Sequence, residues 1–230
     1  MDNFGYIGIS LLLLPLWIFI YTKAKRLRVR MRNSGVYVGL VAVVTEPIFM
    51  IDYWTPPSLF GIDGFYIVED FIYGFLISGI SISIYNFVFN ISYKTKYKKY
   101  KKASVILTVG MLLSFLIFNL IFKYNSVLSI SYSVIVATLI MITYRKDLLL
   151  PAFLSGVMLV VISTIIYTLI FNFILTSYWY DYWKLANSSY GYFILGIPWT
   201  EYLWYFTLGF YISIVYDFAS GTAKEINLRS

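Results

Sequence analysis

The sequence predicts an all-α integral membrane protein of seven transmembrane helices, arranged as two parallel three-helix repeats joined by a linker helix in a 3+1+3 plan. Three observations predict it. The chain is 60% apolar and 13% charged with a mean hydropathy of +0.77, more apolar area than a soluble domain of 230 residues could hide. Seven segments approach the ~20 apolar residues that span a hydrocarbon core. Two stretches also share one pattern, an acidic residue at the head of an apolar segment and Tyr-(Asn/Asp)-Phe near its end. These are Glu69-Asp70 running to Tyr85-Asn86-Phe87 and Glu201 running to Tyr216-Asp217-Phe218, the latter tripeptides 131 residues apart. Each stretch follows an Asp-Tyr-Trp, Asp52-Tyr53-Trp54 and Asp181-Tyr182-Trp183.

In order, the spans fall near 5–22, 34–51, 66–90, 103–122, 127–144, 148–176 and 197–219. Repeat one covers 1–92, the linker helix 103–122 and repeat two 127–220, all in one membrane domain. The basic cluster of segment one follows its apolar run and no small-residue cleavage site comes after, so it is expected to be retained rather than removed as a signal peptide. The loops at 52–65 and 177–196 are long enough to fold over a site. Pro56-Pro57 with Gly61 and Gly64 makes the first a turn-rich cap, and Asn187-Ser188-Ser189-Tyr190-Gly191 does the same in the second. Sixteen of the 18 cations follow segments one, three, five and seven, from the Lys23–Arg32 and Lys94–Lys102 clusters to Arg145, Lys146, Lys224 and Arg229; only Lys123 and Lys184 lie opposite. By the positive-inside rule the N-terminus is expected outside and the C-terminus in the cytoplasm of a multi-pass cell-membrane protein. The net +7 charge is thus topogenic, and no nucleic-acid partner is expected from the Tyr/Lys run at 93–102.

There is no Cys and no His. That removes disulfides, thiolate chemistry, imidazole bases and the usual haem, zinc and iron–sulfur ligands, and no metal site is expected. Acid–base chemistry must rest on Asp, Glu, Tyr or Lys.

The candidate acids are Glu46, Glu69, Asp70 and Glu201, all expected at one depth near the outer ends of segments two, three and seven. Pro47 is expected to kink the helix beside Glu46, while Pro198 suits the first turn of segment seven. Asp147 and Asp217 belong to the other end, since the sixteen residues from Glu201 to Asp217 span about 24 Å of helix. The acids at helix heads have aromatic partners at i,i+3 or i,i+4: Tyr73 for Glu69 and Asp70, and Trp204 and Tyr205 for Glu201. Helix-heading acids also act as macrodipole caps, and aromatics belong to interfacial belts. Caps do not account for Glu46 within a third helix or for the same register in both halves. An ionisable residue inside a membrane points to function.

Gly196-Ile197-Pro198-Trp199-Thr200-Glu201-Tyr202-Leu203-Trp204-Tyr205-Phe206 resembles the Pro-x-Glu-Glu-x-x-Phe-Phe signature of the membrane-integral lycopene cyclases. Asp52-Tyr53-Trp54 followed by Glu69-Asp70-Phe71-Ile72-Tyr73 is similar to the same family's pattern in the other half. The resemblance covers residues 35–90 and 150–220 and implies the fused, single-chain form. Thr200 stands where the signature has its first Glu, and Ile67 where repeat one would have the Pro. The donor position therefore matches Glu69 if it is the first Glu, and Asp70 and Glu201 if it is the second.

The resemblance implies a lycopene β-cyclase, an enzyme of carotenoid biosynthesis whose substrate is a lipid-soluble carotenoid reached through membrane lipid, acting alone or in association with itself or other carotenoid enzymes. Lycopene is a linear hydrocarbon whose end closes when a proton adds to a terminal double bond, a nearby double bond attacks the cation and a proton is lost, with no net redox change. Such chemistry wants a carboxylic acid that keeps its proton, which desolvation and a second carboxylate favour. It also wants aromatic faces that stabilise a cation by about 2 kcal/mol each when desolvated; the candidates are Trp54, Tyr73, Trp199, Trp204 and Tyr205. A dry pocket protects the cation. No Gly-x-Gly-x-x-Gly follows a strand, so neither flavin nor any other cofactor is expected. The rival reading is a small-molecule membrane transporter, which also uses 3+1+3 parallel repeats with a midplane site; the plain segment middles at 76–80, 112–118 and 157–166 speak against it.

Reporters fused after Lys102 and after Ser230 should be active in the cytoplasm, and those near Ser58 and Ser188 outside. A cytoplasmic signal near Ser58 would invert the topology.

Overall fold

A computed structural model describes residues 2–59 and 66–226, with side chains described as far as Ala223. Gly61, Gly64 and Arg229 lie outside the described residues. The long helices are α1 (Gly5–Lys23), α2 (Arg28–Asp52), α3 (Tyr66–Val88), α4 (Lys101–Leu116, extended by a π-helical turn Ile117–Ile121), α5 (Ser126–Tyr144), α6 (Leu149–Tyr167, extended by a π turn Thr168–Asn172) and α8 (Trp199–Ser220). A short α7 (Tyr178–Tyr182) lies in the loop before α8, and the strands are β1 (Ile91–Thr95), β2 (Phe193–Ile194), β3 (Ile197–Pro198) and β4 (Thr222–Ile226).

The chain is an all-α membrane protein. Six of its described helical stretches are long and apolar enough to cross a bilayer: Asp2–Lys23, Lys25–Asp52, Tyr66–Val88, Lys101–Ile121, Ser126–Tyr144 and Lys146–Asn172. Leu, Ile, Val and Phe side chains such as Val44, Ile106 and Phe173 are open on their outer faces, as a lipid-facing surface requires. The 22-residue α8 is long enough to be a seventh, but its two Trp, four Tyr and two acids lower its apolarity.

The second expected segment starts early. Arg28, Arg30 and Arg32 are wound into α2, because arginine is a good helix former. The Arg28 guanidinium turns back to donate from Nε to the Tyr21 carbonyl at 2.7 Å, satisfying an orphan acceptor at the end of α1. α2 runs on through Pro47 to Asp52.

The repeats are visible in the element lengths. α1 and α2, with the 3-10 turn at Lys25–Leu27 between them, match α5 and α6, with theirs at Lys146–Leu148, at a shift of 121 residues; β1 matches β4 at 131. The ten-residue difference lies in the loop that carries α7 and the β2–β3 hairpin. That hairpin turns through Leu195 and Gly196, both at positive φ (52° and 74°), the geometry of a two-residue primed turn. It ends on Pro198, immediately before α8.

The chain forms two compact units, Met1–Ile80 with Val160–Leu203, and Ser81–Leu159 with Trp204–Ser230. In the first, α2 and α3 approach through glycine: a Cβ on Gly39 would stand 2.9 Å from the Phe71 carbonyl oxygen, and one on Gly74 would stand 3.0 Å from the Gly39 Cα. The two Asp-Tyr-Trp motifs meet in this unit. Trp54 pairs antiparallel with Trp183, the Thr55 N–H donates to the Tyr182 carbonyl at 3.0 Å, and the Lys184 N–H donates to the Tyr53 carbonyl at 2.9 Å. The Lys184 ammonium donates to the Met50 carbonyl at 2.7 Å, placing a cation at the negative end of α2.

The second unit uses the same glycine device, with a Cβ on Gly156 standing 2.8 Å from the Phe206 carbonyl oxygen. Its β1–β4 ladder pairs Ile91 with Ile226 through to Thr95 with Thr222. Buried Arg145 forms a two-point ion pair with Asp147, 2.7 Å at each contact, donates to the carbonyls of Asp217 and Thr222, and lies over the Tyr97 ring at 3.9 Å.

Gly39→Val or Gly156→Val should lower stability by about 1–3 kcal/mol through overpacking, read as an earlier thermal transition of the protein in detergent. Gly110→Ala, where among the described residues no atom beyond its chain neighbours and its own helix backbone lies within 4 Å of the added methyl, should be neutral or stabilising by up to about 1 kcal/mol.

Candidate functional site

α2, α3, α8 and the paired Asp-Tyr-Trp loops bring Glu46, Asp70 and Glu201 into the first unit. All three are buried, Asp70 at 0% exposure, Glu201 at 5% and Glu46 at 7%, and Glu46 is close enough to interact electrostatically with both of the others. Their partners are phenols and an indole. The Tyr6 hydroxyl donates to Asp70 Oδ1 at 2.5 Å, and the Trp54 indole N–H donates to Glu46 Oε1 at 2.9 Å. Glu201 accepts from two hydroxyls, Tyr53 at Oε1 and Tyr167 at Oε2, the latter at 2.9 Å. The Tyr53 oxygen also lies 3.0 Å from the Thr200 hydroxyl. Burial, and next the nearby Glu201 charge, hold the Tyr53 phenol well above its ordinary pKa, so it remains an O–H donor.

Asp70 differs from Glu201 in one respect. Its second oxygen, Oδ2, is buried with no hydrogen-bond partner among the described residues. Around Asp70 stand Tyr6, packed edge-on to Trp54 at 4.8 Å between ring centres and tilted against Tyr73 at 5.7 Å.

Glu69 is equally buried, at 1% exposure, but turns to the loop. Its Oε2 accepts from the Leu59 N–H at 3.3 Å, and its Oε1 has no partner among the described residues. Trp199 donates its indole N–H to the Tyr190 carbonyl at 2.9 Å, at the loop beside the β2–β3 hairpin. Trp204 and Tyr205 follow Glu201 on α8 but fall in the second unit, Tyr205 fully buried. Among the described residues no group of three or more acids is placed to hold a metal ion.

Three donors escaped the sequence reading. Tyr53 sits inside the Asp-Tyr-Trp motif, and Tyr167 occupies the position equivalent to Glu46 at the 121-residue shift, so aligning the helix pairs separately would have found it. Tyr6 has no local signal, because its acid is 64 residues away.

A family model described as lycopene cyclase matches residues 3–88 and 124–219. The chain belongs to the lycopene cyclase family. The two matched segments take in α1 to α3 and α5 to α8, as far as Ala219, and leave out α4; membership makes the chain an enzyme of carotenoid cyclisation acting on a lipophilic carotenoid. No curated protein and no solved structure matches it. In this cyclase Asp70 at the head of α3 and Glu201 at the head of α8 fall one in each matched segment, and both accept from tyrosine hydroxyls on other elements, Tyr6 for the first and Tyr53 and Tyr167 for the second.

Tyr6→Phe should leave Asp70 with two unpartnered buried oxygens and lower stability by about 1–3 kcal/mol, measured as a shift of the thermal transition. An unshifted transition would show that the Tyr6 bond does not hold the site.

Proposed function

We propose that the protein is a lycopene β-cyclase in which Asp70 is the general acid and Glu201 the proton acceptor. The observation that carries this reading is the unequal dress of the two carboxyls. Asp70 is held through one oxygen by Tyr6 and presents the other, buried and unpartnered, where a proton can pass to a carbon atom instead of to a protein acceptor. Glu201 has both oxygens engaged as acceptors, which suits it to receive a proton.

In this mechanism the Asp70 carboxyl adds its proton to the terminal double bond of lycopene. The neighbouring double bond then closes on the cation to form the ring bond. The ring cation loses a proton to Glu201, restoring a double bond, so protons balance and no electrons are exchanged. The faces of Tyr6, Trp54 and Tyr73 stabilise the cation by about 2 kcal/mol each where water is excluded. Glu46 orients Trp54 through its indole N–H, and Glu69 ties the loop at Leu59 to the head of α3. We further propose α8 as the seventh span, with the N-terminus outside and the C-terminus cytoplasmic as the cation asymmetry implies.

The test is expression in cells that accumulate lycopene, with chromatographic separation of the pigments. Wild type should yield carotene with one or two β rings and unchanged mass; lycopene left intact by protein present in the membrane would sink the reading. Asp70→Asn and Glu201→Gln keep shape and hydrogen bonding but not the acidic proton, and should lower ring closure by about a hundredfold or more. Glu69→Gln should be milder. So should Asp217→Asn, whose side chain serves the Thr222 hydroxyl at the far end of α8. Wild-type rates in Asp70→Asn would displace Asp70 from the role of acid.

A further inference from the structure

The cyclase reading leaves open which proton the ring cation gives up. Loss from the ring carbon on either side of the cationic centre, or from its methyl group, gives different double-bond isomers from one intermediate. The outcome depends on which C–H the acceptor can reach, so an enzyme that makes one isomer must hold its base still.

Resting on that reading, we propose that Tyr53 and Tyr167 are positioning residues that set the ring isomer by fixing the Glu201 carboxyl over a single C–H of the cation. Each takes one oxygen, so the carboxyl plane is pinned at two points and cannot rotate without breaking a bond. Each phenol is itself fixed. Tyr53 stands beside the antiparallel pairing of Trp54 with Trp183, its carbonyl accepts from the Lys184 N–H, and its hydroxyl meets that of Thr200. Tyr167 is the last residue before the π turn Thr168–Asn172, and Asn172 ties the end of that turn to the β2–β3 hairpin by donating its side-chain N–H to the Leu195 carbonyl at 2.7 Å. π turns re-aim the side chains of a helix and are common at functional sites.

The equivalent place in repeat one supports the assignment. Glu46, the counterpart of Tyr167 at the 121-residue shift, is followed by Pro47, which removes a donor from the helix ladder. Each repeat thus alters the helix hydrogen-bond ladder directly after a polar side chain turned into the site, one with a proline that the helix runs through and one with a π turn. Asp70, by contrast, is tethered at a single oxygen. A proton donor needs reach, whereas an acceptor that must choose among neighbouring C–H bonds needs a fixed address.

The experiment is expression of Tyr53→Phe, Tyr167→Phe, the double variant and Thr200→Val in lycopene-accumulating cells, with the ratio of ring isomers resolved by chromatography. The phenylalanines keep ring shape and remove only the hydroxyl. The single variants should consume lycopene within about tenfold of wild type, an ordinary loss for one hydrogen bond, while their isomer ratio shifts to a mixture. The double variant should shift it further and Thr200→Val less, in the same direction. A ratio identical to wild type in both single variants and Thr200→Val overturns the inference at any yield. So does complete loss of ring closure in the single variants with the protein at normal level in the membrane, which would place the phenols in proton delivery. Wild type that leaves lycopene intact is a different result and removes the cyclase reading itself.

Discussion

The structure depends on how a carboxyl is kept inside an apolar protein by neutral hydrogen-bond donors. Glu46, Asp70 and Glu201 are buried, and the hydrogen-bond donors that reach them are the neutral hydroxyls of Tyr6, Tyr53 and Tyr167 and the indole of Trp54. An arginine or lysine in the same place would lock each acid in its ionised form. Lys184, the lysine nearest in sequence to Glu201, is committed to the carbonyls at the end of α2, and buried Arg145 to Asp147 and the β1–β4 ladder. Neutral donors hold these carboxyls in place and leave protons free to move.

That constraint explains the abundance of aromatic residues, 21% of the chain. Phenols and indoles carry a polar tip on an apolar body, so they can line a membrane-embedded site, donate one hydrogen bond and present a π face to a developing charge. Glycine serves the complementary purpose: Gly39 and Gly74 in the first unit, and Gly156 and Gly209 in the second, let helices meet at backbone distance, leaving the large rings to fill the remaining space.

The class of fold was legible because hydropathy over twenty residues is a strong signal, and the repeats because Tyr-(Asn/Asp)-Phe recurs at a fixed distance after an acid and Asp-Tyr-Trp recurs before it, across loops of slightly different length. The pairing of the two Asp-Tyr-Trp segments was not legible, since a two-residue β-bridge between loops has no periodicity to betray it. The early start of α2 was masked by its arginines, whose charge suggests a loop even where their propensity favours a helix. The acids themselves could be picked out as costly residues near the heads of apolar segments, yet their division of labour could not. Asp70 and Glu201 differ through Tyr6, 64 residues from its acid, and Tyr53, 148 residues from its own, contacts that only folding creates.

Membranes holding the protein in excess over lycopene, equilibrated in deuterated water and allowed a single turnover, test the central claim most directly. If a protein carboxyl in exchange with solvent starts ring closure, mass spectrometry will find one deuterium added for each ring formed. Rings that carry no deuterium would contradict proton-initiated closure by these acids.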